Sequence, residues 1–328
     1  MPAWDVALEA TMPARSKLFF VDNAGNSFPA EQARLAELEL AVFAETLQRL
    51  GITVARPAPL DHRRPFSTPN WKSPSGLYSM MPRDLLLVVG DTIIEAPMAW
   101  RARYFEIDAY RHLLFSYFQR GARWISAPRP QLRAEWYDDG FDHEEPHTTG
   151  RYVTGEFEPT FDAADFVRCG RDIFAQRSHV TNRSGIDWVT RHLGSDYTVH
   201  TLDIADRAPM HIDATFMPLA PGKILVNPSR AVSLPAALQA WDVRLAPPPA
   251  VPGDHTLYFS SPWISMNVLM LDQQRVVVEA GERPLIEMLE GWDFEVLPLP
   301  FRNVMRFGGC FHCVTADVRR RGTLESYL

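Results

Sequence analysis

Near the end of the chain two cysteines flank a histidine in the run Gly308-Gly309-Cys310-Phe311-His312-Cys313, and Asp317 and the cations Arg319-Arg320-Arg321 follow. Nearby positive charge lowers a cysteine pKa and the thiolate is the attacking species, so these residue types predict covalent chemistry through sulfur. Far upstream, Met210-His211-Ile212-Asp213-Ala214-Thr215-Phe216 offers a proton carrier and an anion, and Phe161-Asp162-Ala163-Ala164-Asp165-Phe166 offers two more carboxylates. Ile212, Thr215 and Phe216 predict an extended segment, which would put His211 and Asp213 on one face. Asp162 suits the group that holds a histidine tautomer, or equally the cap of a short helix beginning at Ala163. Asp84 stands just ahead of the apolar run Leu85-Leu86-Leu87-Val88-Val89, where loops carry function on a rigid sheet.

Each residue alone has a plainer reading: a hydrogen-bonded structural histidine, a strand-end charge at Asp84, a small buried hydrophobe at Cys169. Cys310, His312 and Cys313 could be half of a metal site, a reading disfavoured because no second Cys or His pair stands at zinc spacing. Arg319-Arg320-Arg321 reads as a solvated charge run.

The elements that must position these groups recur. A helix-like segment, a glycine or tryptophan at its end, a short β-rich run and a proline appear at Leu50-Gly51-Ile52-Thr53-Val54 before Pro57 and at Arg120-Gly121-Ala122-Arg123-Trp124-Ile125 before Pro128. Similar units follow at Leu193-Gly194 leading into 197–202, without a proline, at Trp241-Asp242-Val243-Arg244-Leu245 before Pro247, and at 291–297 before Pro298. Glycine ends a helix by taking the left-handed conformation, and proline ends a strand for want of an N–H. Five helix-to-strand units at such spacing predict one closed repeat architecture. Helices are expected at 29–49, with Leu35, Leu38, Val42, Phe43 and Leu47 on the buried stripe, and at 110–118; Gly90-Asp91 marks a turn after a buried strand. The proline-rich stretch 246–253 reads as a stiff loop after a strand.

At 46% apolar and 22% charged residues the 328-residue chain is an ordinary folded protein, not a disordered one. A net charge of −7 weighs against nucleic-acid partners, which call for a basic patch. Three cysteines do not make a disulfide framework, and the first 17 residues, with Asp5, Glu9 and Arg15, lack a secretory signal. The run at 85–89 is far below the roughly 18 apolar residues of a membrane span. The expectation is a cytoplasmic protein without membrane contact.

The segments MPRDLLLVVGDTIIEAPMAWRARYFE (81–106), FEPTFDAADFVRCGRDIFAQRSHVTN (157–182), PMHIDATF with PGKILVNPSR (209–230), SSPWISMNVLML (260–271) and GGCFHCVTADVRRRGTLESYL (308–328) resemble the arginine:glycine amidinotransferases and their antibiotic- and toxin-pathway relatives. The resemblance runs over nearly the whole chain. It implies a single domain over 1–328 with the α/β fold of that family, a five-bladed pseudo-symmetric α/β-propeller (the pentein fold), which arginine deiminases share more distantly. It also implies that Cys313 is the nucleophile, His211 the acid/base and Asp162 its partner. Asp84 and Asp213 would hold a guanidinium, Arg230, Ser260 and Ser261 would bind the amino-acid end of arginine, and Met210, as in glycine-using relatives, would line the site for a small acceptor. The reaction implied passes the amidino group of L-arginine through amidino-cysteine to an amine, glycine foremost, giving guanidinoacetate and ornithine by a ping-pong route that needs no metal or cofactor.

Two positions depart from the family pattern. Cys310 stands where relatives often have glycine, and Ala208 where glycine-using members carry asparagine, which widens the acceptor pocket. The relatives also begin earlier, with a β-strand that is not readable here before Pro29; an unpaired edge would then favour pairing into a homodimer. The alternatives are a deiminase-like guanidine hydrolase, a transferase using lysine or a secondary-metabolite amine, and an inactive binding protein.

Overall fold

The computed structural model describes residues 1–3, 6–12, 14–141, 151–206 and 210–328. Helices α1 (Val6–Thr11) and α2 (Lys17–Asn23) precede the long α3 (Ala30–Arg49), and no strand lies ahead of Pro29 among the described residues. Pro29 sits at the N-cap of α3, where its fixed φ prepares the first turn. Gly51 ends the helix at φ +79°, with its N–H on Gln48 O at 2.9 Å and that of Ile52 on Leu47 O at 3.0 Å. This is the left-handed exit that a Cβ would resist. The buried stripe is narrower than the spacing predicts: Phe43 and Leu47 are buried, but Leu38 and Val42 are exposed.

A small hairpin, β1 (Phe66–Ser67) with β2 (Lys72–Ser73), leads to the short helix α4 (Pro82–Leu85). Leu85 closes that helical turn, so the buried strand β3 (Leu86–Val89) begins one residue later than its apolar run. From here one module repeats. In the first, β3 pairs antiparallel with β4 (Thr92–Glu95) across the Gly90-Asp91 turn, helix α5 (Arg111–Gln119) crosses over, and β5 (Arg123–Ser126) lies parallel to β4. A parallel partner needs such a crossover.

The second module is β6 (Phe166–Cys169), β7 (Asp172–Gln176), α6 (Arg183–Leu193) and β8 (Thr198–Ala205). The third is β9 (Phe216–Ala220), β10 (Lys223–Val226) and β12 (Asp242–Leu245), with only a single 3-10 turn, Ala236–Leu238, as its crossover. Between these last two strands, β11 (Ala231–Ser233) joins the edge of β8 in the preceding sheet. The fourth is β13 (Leu269–Met270), β14 (Arg275–Glu279), α7 (Arg283–Glu290) and β15 (Glu295–Leu299), followed by the short helix α8 (Arg302–Met305).

Four of the five units read from the sequence thus carry three strands of the same plan, with β11 added as a fourth in the second sheet. The first does not: 52–54 pairs with no strand among the described residues, and α3 instead packs over α8, with Phe43 against Phe301 and Phe311 at ring-centroid distances of 5.5 and 5.0 Å. Pro298 does not stop its strand, because β15 lies at a sheet edge and runs on to Leu299. An edge strand spares the missing N–H. The stretch 246–253 is a loop after β12, as expected.

Consecutive modules share their cores. Strands β3 and β4 bury Leu86, Val88 and Ile94 with Phe161, Ile173 and Ile186 of the second module; Phe174 and Leu202 pack with Phe216 and Ile224 of the third; Met217 and Leu225 pack with Val276 and Leu285 of the fourth. Phe43, Val277, Phe301, Phe311 and Cys313 form the next cluster, which Met81, four residues before Leu85, joins. The fold class is α/β with small, repeated mixed sheets, as the sequence implied.

Candidate active site

Each module opens with one helical turn just ahead of its first strand: Pro82–Leu85 before β3, Ala163–Asp165 before β6, Ile212–Ala214 before β9 and Pro262–Met266 before β13. These turns carry Asp84, Asp162 with Asp165, His211 with Asp213, and Asn267 at their ends. Equivalent places in the repeat bring side chains scattered along the chain to one site. The turn at 310–314, closed by Val314 N–H on Cys310 O at 3.1 Å, meets them with Cys313.

His211 and Asp213 do not lie on a strand. His211 has φ +58° and ψ 114° at the N-cap of a 3-10 turn, a strained backbone for a side chain with a Cβ. The sharp turn aims the two side chains apart. His211 Nε2 lies 3.0 Å from Asp162 Oδ2 and its Nδ1 3.6 Å from Asp84 Oδ1, while Asp213 Oδ2 meets His312 Nδ1 at 2.6 Å and Cys313 Sγ at 3.8 Å. Asp162 occupies the N-cap position of its turn but makes no capping bond; its carboxylate goes to the histidine.

The thiol is not in the cationic setting that the sequence suggested. Cys313 is buried, and burial together with Asp213 and Asp84 pushes its pKa well above the ordinary value. The arginines that follow it are exposed, and Arg320 is bound to Met270 O, Leu271 O and Asp317. Burial works against charge on His211 too, but Asp84, the Asp162 hydrogen bond and Asp165 outweigh it and raise the imidazole to about 10. Burial raises Asp84; for Asp213 the hydrogen bond and charge of His312 overcome burial and hold the carboxyl low.

Several buried acceptors here make no hydrogen bond among the described residues: Asp84 Oδ1, Asp162 Oδ1, Asp213 Oδ1 and Ser260 Oγ. A buried carboxylate oxygen without a donor is costly, and two carboxylates, one beside the thiol and one beside the imidazole, fit a planar cation rich in N–H groups.

Arg230, half-buried, is held by Asp206 at 2.8 Å through Nε and by Ala214 O and Thr215 Oγ1 at 3.2 and 2.5 Å through Nη1. Ser261 caps the Pro262–Met266 turn without a side-chain bond, and Met210 packs against a cluster containing Phe20, Tyr258 and Phe259. Ala208 lies outside the described residues. Cys169 is a buried free thiol on β6, pushed up to about 12 by burial and Asp172, and Cys310 is buried and raised likewise.

Three neighbours carry no signal in the sequence as site residues. Asn267 accepts from the Cys313 N–H through Oδ1 at 2.9 Å and from the His312 N–H through its carbonyl at 3.3 Å, fixing the turn that carries Cys313. Arg83 holds that turn from the other side and pairs with Asp317 at 2.7 Å. Arg103, 1% exposed, touches Asp84 and Asp162. An asparagine after an apolar turn and an arginine among aromatics look ordinary until the chain folds.

No family model matches the chain. Over all 328 residues and 90% of the relative's length it is 52% identical to the L-arginine:L-lysine amidinotransferase of Pseudomonas savastanoi pv. phaseolicola. It is 46% identical to the mitochondrial glycine amidinotransferase of Xenopus tropicalis, covering 100% of this chain and 79% of that one. Among solved structures, SxtG, an amidinotransferase from Microseira wollei in the saxitoxin biosynthetic pathway, superposes with a TM-score of 0.92 at 47% identity, over 100% of this chain and 93% of the other. The N-terminal domain of ArgZ, a cyanobacterial arginine dihydrolase, shares the fold alone, at a TM-score of 0.59 and 15% identity over 87% of this chain and 86% of the other.

Fold and site together define a pentein enzyme built around a buried cysteine and a histidine held by carboxylates. The chain belongs to the amidinotransferase family, and it is an enzyme of that class. Among its described residues no helix is long and apolar enough to cross a membrane.

Proposed function

We propose that this amidinotransferase takes the amidino group from L-arginine onto Cys313 and passes it to the amine of an amino acid. The observation that carries the reading is the pair of undonated buried oxygens, Asp213 Oδ1 at the thiol end and Asp84 Oδ1 at the imidazole end. A guanidinium between them is fixed in plane, and its charge offsets the carboxylates that hold the thiol up. The Cys313 sulfur then adds to the central carbon, and the bond to the δ-nitrogen breaks. Through His211, the proton lost from the thiol ends on the departing ornithine. The acceptor's nitrogen attacks the amidino carbon, the C–S bond breaks, and through His211 the proton lost from the acceptor's nitrogen passes to the sulfur, restoring the thiol.

The guanidinium of Arg230 is anchored through Nε and Nη1, and its Nη2 makes no hydrogen bond among the described residues. With Ser260, Ser261 and Met210, the other substrate-binding residues that the resemblance implies, it suits the carboxylate of the donor and, after ornithine leaves, that of an acceptor. Glycine is the first acceptor on this reading. Lysine is the second, favoured by the 52% identity to a protein named as an L-arginine:L-lysine amidinotransferase. A cytoplasmic homodimer, folded as one domain over 1–328, belongs to the same proposal.

The test is a panel of amines at fixed arginine, with ornithine, citrulline and the mass of the Cys313 peptide measured together. Amine-dependent ornithine and an amidino adduct on Cys313, both lost in Cys313→Ala but kept in Cys310→Ala and Cys169→Ala, are expected. Citrulline formed without an amine would make the enzyme a hydrolase, and an adduct on Cys310 would move the nucleophile.

A further inference from the structure

We infer that Arg103 is a positioning residue of the transfer reaction, holding Asp84 and Asp162 against the two ring nitrogens of His211 from the protein side. The inference rests on the role given to His211 above. One nitrogen of Arg103, Nη1, lies 2.8 Å from Asp84 Oδ2 and 3.8 Å from Asp162 Oδ2. Those same two carboxylates face His211, Asp84 at Nδ1 and Asp162 at Nε2. The separation of the carboxylates, and therefore the orientation of the imidazole between them, is set by a group that does not face the substrate.

Arg103 is itself fixed. Its Nε donates to Glu106 Oε2 at 3.0 Å, and its guanidinium carbon stands 5.7 Å from the centre of the Tyr78 ring. Glu106 Oε1 receives the Tyr78 N–H at 3.4 Å, and the Tyr78 hydroxyl donates to Phe307 O at 2.9 Å, three residues before Cys310. The planar fork thus grips Glu106 behind and the catalytic-side carboxylates in front, which a lysine ammonium cannot do at once.

Charge points the same way. Facing this cluster are Asp84 from α4, Glu106 and Tyr110 from the 3-10 turn Glu106–Tyr110 that follows Arg103, Asp162 and Asp165 from the turn before β6, His211 and Asp213 from the turn before β9, Tyr78, and Cys313. Arg103 is the permanent cation among them. Removing it leaves several carboxylates in buried space with only His211 to balance them, and every group there takes up a proton more readily.

The experiment uses the full chain with arginine and an amine acceptor, reading ornithine release across pH for Arg103→Met, Arg103→Lys and Glu106→Gln beside the parent. In Arg103→Met kcat should fall about 100-fold, as for a small displacement of a reacting group. Both limbs of its kcat/KM profile should move to higher pH by about one unit or more. Arg103→Lys returns the charge without the fork, so its limbs should return toward the parent's while its rate stays low. Limbs of Arg103→Met that overlay the parent's would overturn the inference. So would loss of the folded circular-dichroism spectrum in both Arg103→Lys and Glu106→Gln, which would assign Arg103 to the fold alone. A parent enzyme that forms no adduct on Cys313, or a fully active His211→Asn, would instead sink the reading of the site on which the inference stands.

Discussion

On the proposed reading of the site, the two reacting groups hold their protons at rest. Burial, Asp213 and Asp84 keep Cys313 a neutral thiol, and the carboxylates around His211 keep it an imidazolium up to about pH 10. Nucleophilicity therefore waits for a cation, which guards the thiol against oxidants and electrophiles that carry no positive charge. Alkylation of Cys313 by iodoacetamide, followed by peptide mass, should be slow near pH 7 and climb through pH 9 and beyond with no plateau. In Asp213→Asn, which removes a negative neighbour 3.8 Å from the sulfur, the rate at pH 8 should rise about tenfold, as for a pKa lowered by about one unit. A plateau already present at neutral pH in the parent would mean that a resident thiolate exists after all.

At the scale of elements, the site depends on helix starts and tight turns. Helix α6 begins at Asn182, whose Oδ1 accepts from the Gly185 N–H at 2.8 Å and from the Thr160 N–H at 3.1 Å, and whose own N–H bonds Thr160 O at 3.0 Å. Thr160 is two residues from Asp162, and Thr181 Oγ1 accepts from the Asp162 N–H at 3.2 Å while donating to Asp165. The start of α6 is thereby stitched to the carboxylate that orients His211. A Cβ at Gly185 would overlap Thr160 O. Gly185→Ala should cost about 1–3 kcal/mol, as overpacking does, and lower Tm by a few degrees. It should also cut kcat by up to about 100-fold if Asp162 moves by about 1 Å. Calorimetry and steady-state rates check this; a lower Tm with kcat unchanged would mean that Asp162 is held by His211 and Thr181 without α6.

Over the whole molecule the buried ionisable groups set a stability window. His211, raised above the ordinary 6.5 to about 10, contributes stability that is fully present below about 6.5 and lost as pH rises through about 10. Burial raises Glu106 to about 7 and Asp165 to about 6, so these two cost stability as pH climbs through those values. Asp213 and Asp317 run the other way. Burial would raise both, but His312 for the first and Arg83 with Arg320 for the second hold them below the ordinary 3.8. Their contribution is present above about 3.8 and lost as pH falls below it. Tm should therefore peak between about pH 4 and 6.5, with a long decline toward pH 10 that flattens in His211→Asn. A scan of Tm against pH for both proteins decides it, and a maximum above pH 8 would contradict the assignment.

Local physics left its mark on the sequence. Gly51 and Gly121 end their helices at φ +79° and +100° because glycine alone reaches that backbone cheaply, and the β-rich runs after residues 121, 194, 241 and 291 became β5, β8, β12 and β15. The long motifs around residues 84, 162, 211, 230, 260 and 313 carried the family, and with it the fold. Other features are set by groups far apart in the chain. Alternation made His211 and Asp213 look like one face of a strand, yet packing before β9 forced a strained turn that separates them. Cys313 reads as activated beside its arginines, yet the fold turns those outward and brings Asp84 and Asp213 to the sulfur instead. Neither Asn267 nor Arg103 carries a local signal, since Asn267 acts on His312 and Cys313 and Arg103 joins Asp84 to Asp162, residues far apart in the chain. Propensity and turn chemistry act over a few residues and can be read in order along the chain, whereas burial and Coulomb forces act through space and take their values only when the modules close around the site.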